Sequence, residues 1–297
     1  MTMKFDFKGV ISALPTPFIN GKVDIKSLEK LIHYQLKNGI QGFVVNGTTA
    51  ESPTLHWNEV VEIFKAVKNI SGDKVPIIIG TGSNSTAQTI ETTKKAAELG
   101  ADAVLVVVPY YNKPPQRGLV QHFNSVANAS AAPVILYNVP GRTITSLAAD
   151  SIIELSKNKN IIGIKEASGD IDFNKKLFPA VPENFIKLSG DDDTYNSFLK
   201  IGGHGVISVM SNIITSACVR WTKNAEDQKW QDLEKDFLRH KKLISGLFIE
   251  ANPIALKWML YKMGLFESAE MRLPLMPLAP EYHELVTPLL KELELIS

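Results

Sequence analysis

Cysteine is almost absent from this chain of 297 residues. The single thiol, Cys218, has no partner within the chain, which excludes an internal disulfide and fits a reducing compartment. An excess of one charge is missing too. Lys and Arg number 32 against 31 Asp and Glu, a net charge of +1, so neither nucleic acid nor an anionic membrane is expected as the main partner. No apolar run approaches the ~20 residues that span a bilayer. The N-terminal MTMKFDFKG has a lysine at position 4 but no apolar segment behind it, so no signal peptide is expected and a cytoplasmic location is the default. The usual cofactor signatures are lacking as well. The six histidines, at 33, 56, 122, 204, 240 and 283, show no HExxH or paired spacing that would hold zinc. Gly80-Thr81-Gly82 has neither a Walker lysine nor a full GxGxxG. Asp191 to Asp193 could meet a divalent cation, but an Asp run behind a glycine more often caps a helix. That acidic loop also argues against a phosphorylated ligand. Neither a metal nor a cofactor is expected.

What the chain does contain is a cadence. Eight short apolar, β-branched-rich runs occur: VISAL (10–14), QGFVVN (41–46), VPIIIG (75–80), AVLVVV (103–108), PVILY (133–137), IIGIK (161–165), FIKLS (185–189) and GVISV (205–209). Segments of helical periodicity lie between them, such as Leu28, Leu31, Ile32 and Gln35, or Val60, Ile63, Phe64 and Val67. Asp24, Ser85 or Thr86, and Ser146 stand where helix N-caps belong. Runs apolar on both faces, joined by crossover helices, predict a parallel sheet. Eight units predict an α/β fold of the (β/α)8 TIM-barrel type over residues 1–225. A doubly wound open sheet is the competitor, but its glycine fingerprint is replaced after the first run by Pro15-Thr16-Pro17-Phe18. Residues 226–297 lose the strand cadence and read as a C-terminal extension of three amphipathic helices.

Within that frame IIGIKEASGD (161–170) stands out. Alternation along a strand puts Lys165 on one face with Ile161 and Gly163. Burial there disfavours an ammonium, and a lysine that gives up its proton attacks ketones to form a Schiff base. A surface lysine at a strand end, paired with a neighbouring acid, fits the same stretch. Active sites in such barrels lie behind the carboxyl ends of the strands. Those positions hold Thr48 and Thr49, Tyr110 and Tyr111, Tyr137 and Arg142, Lys165, and Gly190 with its aspartates. Taken singly most have structural readings; converging on one mouth they predict a site. Glu51 and Glu166 could instead serve as an acid/base pair for glycoside chemistry, though their separation is open.

GTTAES, PYYNKP, YNVPGRT, GIKEASGD, LSGDD, GGHGVISV, ANPIALKW and RLPLMPL, in order along the whole chain, resemble the dihydrodipicolinate synthase / N-acetylneuraminate lyase family. The resemblance implies a barrel with a helical extension, no cofactor, and a class I aldolase mechanism with pyruvate as the Schiff-base donor. Lys165 then matches the Schiff-base lysine and Tyr137 the acid/base tyrosine. Thr48 and Tyr111 match the hydroxyls of a proton relay, Tyr111 reaching into a neighbouring subunit's site. Thr49 matches a residue that binds the pyruvate carboxylate, and Arg142 one that receives the second substrate's carboxylate. Gly190 and Ile207 match backbone contacts near the bound pyruvate. Arg142 and the Thr48-Thr49 pair favour the synthase branch, which joins pyruvate to L-aspartate β-semialdehyde on the diaminopimelate route to lysine. The alternatives are a lyase or dehydratase of another 2-oxo acid, such as N-acetylneuraminate, and a non-catalytic 2-oxo-acid-binding protein. The family implies a homotetramer built as a dimer of dimers, with a homodimer as the alternative.

Two departures carry expectations. Ala50 stands where the family usually has glycine. If that position has φ > 0, alanine costs on the order of 1 kcal/mol; otherwise the change is nearly silent. Ser52, Asn84 and Tyr110 match an allosteric lysine site, but Gln88 replaces its glutamate and Val60 a frequent histidine. A neutral amide cannot pair with lysine's ammonium as a carboxylate does. Inhibition by lysine is therefore expected to be weak or absent, and an inhibition curve with half-effect below millimolar lysine would contradict this.

Overall fold

All eight apolar runs form strands, each within two residues of its expected bounds. The structure, a computed structural model, describes residues 5–297. Met1–Lys4, the start of the stretch read for a signal peptide, lie outside the described residues. The strands are β1 (Gly9–Ala13), β2 (Gly42–Val45), β3 (Ile77–Gly80), β4 (Ala103–Val107), β5 (Val134–Asn138), β6 (Ile161–Glu166), β7 (Ile186–Ser189) and β8 (Gly205–Ser208). They close into a parallel barrel in the order β1-β8-β7-β6-β5-β4-β3-β2, so the open sheet is excluded. β1, β2 and β5 are buried at every residue, which is why their sequences run apolar instead of alternating.

Eight helices follow the strands: α1 (Ile25–Lys37), α2 (Trp57–Ser71), α3 (Thr86–Leu99), α4 (Gln116–Ala129), α5 (Ala149–Leu155), α6 (Ile171–Leu177), α7 (Tyr195–Lys200) and α8 (Thr215–Glu226). Asp24 and Ser85 cap α1 and α3 as expected, accepting from the amides of Ser27 and Gln88. Ser146 does not cap α5. That helix starts behind Ala148, and Gln116 of α4 serves its first turn instead. The Gln116 carboxamide oxygen accepts from the Ala148 amide (3.0 Å) and the Ser151 hydroxyl (2.7 Å), and its nitrogen donates to the Ser146 carbonyl (2.8 Å).

The extension supplies α9 (Trp230–Gly246), α10 (Ile254–Lys262) and α11 (Pro280–Glu292). α10 is not amphipathic: Ile254 through Leu260 are all buried, Lys257 included. Contacts group the chain into two compact units. One is built on Pro76–Ile207 with the described residues up to Gly9; the other comprises Val10–Val75 and Ser208–Ser297, so the extension shares a core with the first strands and helices. Among the described residues no helix is long and apolar enough to cross a membrane.

Register in the first unit depends on one irregularity. Val134 pairs with Ile161, but Ile135 pairs with Gly163, leaving Ile162 as an extra residue on β6. Beyond that bulge Tyr137 is opposite Lys165 and Asn138 opposite Glu166. β6 also runs close to β7. A Cβ on Gly163 would come within 2.4 Å of the Ile186 carbonyl oxygen and 2.7 Å of its Cβ. Gly163→Ala is therefore expected to lower stability by roughly 1–3 kcal/mol, read from the urea midpoint.

Candidate active site

Lys165 and Tyr137 are 7% and 6% exposed. Directly opposed residues on neighbouring strands share a face, and the Lys165 Nζ lies 4.3 Å from the centre of the Tyr137 ring. Lys165 is thus no surface lysine. The neighbouring acid does not pair with it, because Glu166 is turned to the opposite face by strand alternation. Its carboxylate accepts from the Asn138 side-chain amide (2.7 Å) and the Ser168 backbone amide (2.7 Å). Asn138 is itself fixed, its carbonyl oxygen accepting from the Leu147 amide at 3.0 Å. Burial raises the Glu166 pKa above the usual carboxylate range, and these hydrogen bonds oppose the shift.

Gly190, behind β7, is where the lysine stem passes. A Cβ there would stand 2.7 Å from Lys165 Cε, 2.9 Å from its Cγ and 2.6 Å from the Ala167 Cβ. Ile207, 1% exposed, is the third residue of β8. Arg142 is exposed on the single helical turn Pro140–Thr143 behind β5. Tyr110 and Tyr111 sit behind β4, 40% and 89% exposed. Tyr111 has φ +74, a conformation rare outside glycine. Asn112 donates to the Asn84 carbonyl at 2.8 Å, tying this loop to the segment before α3. Gln88 is exposed in the first turn of α3. The aspartates do not cap α7, which begins behind Thr194; Asp191 accepts from the Thr194 hydroxyl at 2.6 Å. His122 is structural, its Nδ1 hydrogen-bonded to the Thr86 hydroxyl (2.9 Å) and its pKa pushed down to about 4 by burial.

In the second unit Thr48 and Thr49 open a one-turn 3-10 helix, Thr48–Ala50, behind β2. Ala50 lies within that helix, and its φ is not positive, so the alanine is nearly silent. The left-handed residue is the next one, Glu51, with φ 58. Ser52 follows in a second short turn, and Val60 belongs to the buried face of α2. Three residues missed from the sequence surround this turn. Asn252 donates to the Thr49 hydroxyl oxygen at 3.0 Å. Lys257 pairs with Glu51 at 2.7 Å, both side chains fully buried. The Arg272 amide donates to the other Glu51 oxygen at 2.9 Å. Burial pushes Lys257 down to about 8, while Glu51 acts to raise it. The motifs ANPIALKW and RLPLMPL flagged these segments, but nothing in them names Glu51 as their partner. Glu51 and Glu166 are each engaged by other groups, which removes the glycoside acid/base reading.

A closed parallel barrel with a buried lysine near a strand's carboxyl end defines the class: a (β/α)8 barrel with an amine held at the end where such folds carry their active sites. Comparison with known proteins narrows it. The model of the Dihydrodipicolinate synthetase family matches residues 6–293. A 4-hydroxy-tetrahydrodipicolinate synthase of Bdellovibrio bacteriovorus is 55% identical over 276 residues, 93% of this chain and 94% of the relative. The crystal structure of a dihydrodipicolinate synthase from Thermotoga maritima superposes with a TM-score of 0.96 at 38% identity, covering 98% of this chain and 99% of that one. The chloride-inhibited dihydrodipicolinate synthase from Acinetobacter baumannii, complexed with pyruvate, gives 0.95 at 42% identity over 97% of this chain and 99% of its own. The chain belongs to the dihydrodipicolinate synthetase family.

Because Lys165 lies against Gly190, Gly190→Ala is expected to displace the amine and slow its reductive labelling by pyruvate and borohydride about 100-fold, with the circular dichroism spectrum kept. Labelling at the wild-type rate would show that the lysine stem has slack there.

Proposed function

We propose that this chain condenses pyruvate with L-aspartate β-semialdehyde through a Schiff base on Lys165. It is a class I aldolase-type lyase with the activity of a 4-hydroxy-tetrahydrodipicolinate synthase. The observation that carries the reading is the buried Lys165 with its Nζ 4.3 Å from the Tyr137 ring centre, in a chain 55% identical to a relative of that name.

The neutral amine adds to the pyruvate carbonyl carbon, and the carbinolamine loses its oxygen as water to leave an imine. Loss of a methyl proton gives the enamine, whose carbon bonds to the aldehyde carbon of the semialdehyde while the aldehyde oxygen takes up a proton. The amino group of the semialdehyde then attacks the imine carbon, closing the ring and displacing Lys165. Each step moves a proton at an otherwise apolar centre, which is the work of the Tyr137 phenol with the Thr48 and Tyr111 hydroxyls. Thr49 binds the pyruvate carboxylate, and Gly190 and Ile207 supply backbone contacts. Arg142 receives the second carboxylate, which a planar guanidinium can hold through two parallel hydrogen bonds.

The reaction takes place in the cytoplasm, on the diaminopimelate route to lysine. Tyr111 supports an assembly in which it serves a neighbouring copy. A tyrosine that is 89% exposed in a left-handed conformation gains little within its own chain. The assembly is a homotetramer made as a dimer of dimers.

Pyruvate and borohydride should leave a mass adduct on Lys165. Semialdehyde added before the reductant should deplete the adduct and release a heterocyclic product, whereas N-acetylmannosamine should not. Depletion by the amino sugar alone would make the enzyme a lyase of the other branch, and no adduct at all would remove the Schiff base.

A further inference from the structure

The C-terminal extension reaches the threonine turn through buried polar contacts that the reaction itself does not require. We propose that Asn252, Lys257 and Glu51 are positioning residues for that turn, and that the Asn252 amide sets the direction in which the Thr49 hydroxyl donates. The inference rests on the reading of Thr49 as the group that binds the pyruvate carboxylate.

A threonine hydroxyl has one proton and can accept as well as donate. Asn252 donates into the Thr49 oxygen at 3.0 Å, and Thr49 is 3% exposed, so few other partners compete. With that lone pair engaged, the hydroxyl proton points away from Asn252 and is available to an anion. A threonine free to rotate could instead present a lone pair, which repels a carboxylate. The turn is held from behind as well. Glu51 closes it in a left-handed conformation that is costly for a non-glycine residue and persists only where surrounding contacts over-determine it. Those contacts are Lys257 Nζ at 2.7 Å and the Arg272 amide at 2.9 Å on the carboxylate, with the Thr54 amide on the Glu51 carbonyl at 2.8 Å. The preceding carbonyl, of Ala50, accepts from the Thr16 hydroxyl at 2.9 Å. Lys257 and Arg272 both lie against the ring of Phe18, with Nζ 4.3 Å and Cζ 4.2 Å from its centre, which fixes the cations in turn.

The test separates binding from folding. Asn252→Ala should raise the KM for pyruvate about ten-fold, a loss on the scale of one hydrogen bond, with kcat within about two-fold. At saturating pyruvate the Lys165 adduct should still form in full. A lowered melting temperature with unchanged KM would reduce Asn252 to a structural residue and overturn the proposal, as would a fall in kcat alone. Lys257→Met would leave a buried carboxylate unpaired and can fail to fold, so the paired change Glu51→Gln with Lys257→Met is the second variant. It should fold and show a raised pyruvate KM; a folded double variant with wild-type KM would refute the pinning role, and if it does not fold Asn252→Ala decides. Wild-type protein run alongside keeps the two readings apart. If it forms no pyruvate adduct, the proposed function fails and this inference with it; if it reacts normally while both variants match it, only this inference fails.

Discussion

Tyr137 and Lys165 face one another because of a single extra residue. Val134 pairs with Ile161, and had the ladder continued without interruption, Tyr137 would be opposite Ile164 and Asn138 opposite Lys165. Side chains alternate between faces, so Lys165 would then no longer be the residue opposite the phenol. The bulge at Ile162 moves β6 by one position, and the pairings with β7 follow in even register from Gly163 to Glu166. Gly163 permits the close approach of β7, and Gly190 leaves space for the lysine stem at the end of that strand. Bulges re-aim side chains at functional sites, and here the re-aimed side chain is Lys165, the nucleophile of the proposed reaction.

Buried charged groups are each given dedicated partners. Glu166 is the residue the alternation turns away from Tyr137, and it is buried. Its raised pKa means that the folded state holds the proton more tightly than the unfolded chain. Its contribution therefore favours folding below the ordinary carboxylate range and diminishes as pH rises through its elevated value. The Asn138 and Ser168 hydrogen bonds limit that loss by stabilising the ionised form. Glu51 and Lys257 solve the same problem differently, as a fully buried ion pair. Such pairs gain little net stability over an apolar replacement, while removing one partner costs about 3–5 kcal/mol. Stability alone gives no reason to keep one, whereas a fixed position for the turn beside it does.

The strands, the crossover helices and the lysine were legible in the sequence because each rests on a local signal: a β-branched run, a helical period, a charge where apolar residues belong. What escaped was set by distant contacts. Gln116, not Ser146, serves the start of α5, and a partner 32 positions earlier in the chain leaves no local signal in the sequence. α10 looked amphipathic because it carries Lys257, and only the partner, 206 positions earlier, explains how that lysine can be buried. Asn252 sat inside a motif, but its object, Thr49, lies 203 positions away. Ala50 was ambiguous for the opposite reason. Its effect turned on one dihedral angle, and the left-handed position proved to belong to Glu51.

Gln88 shows how far function and fold can be separated at a single position. It is the third residue of α3, where Ser85 accepts from its backbone amide, and Ser-x-x-Gln is itself a pattern that begins helices. A glutamate would serve that pattern equally well, and the helix dipole favours negative charge in the first turn. The fold therefore does not demand the neutral amide; the exposed side chain is free to carry either form. Val60 differs, because it packs on the buried face of α2 with Ile63, Phe64 and Val67, where a polar ring would have to find a partner. Of these two positions, Gln88 can change its charge without cost to the fold, and Val60 is built into the core.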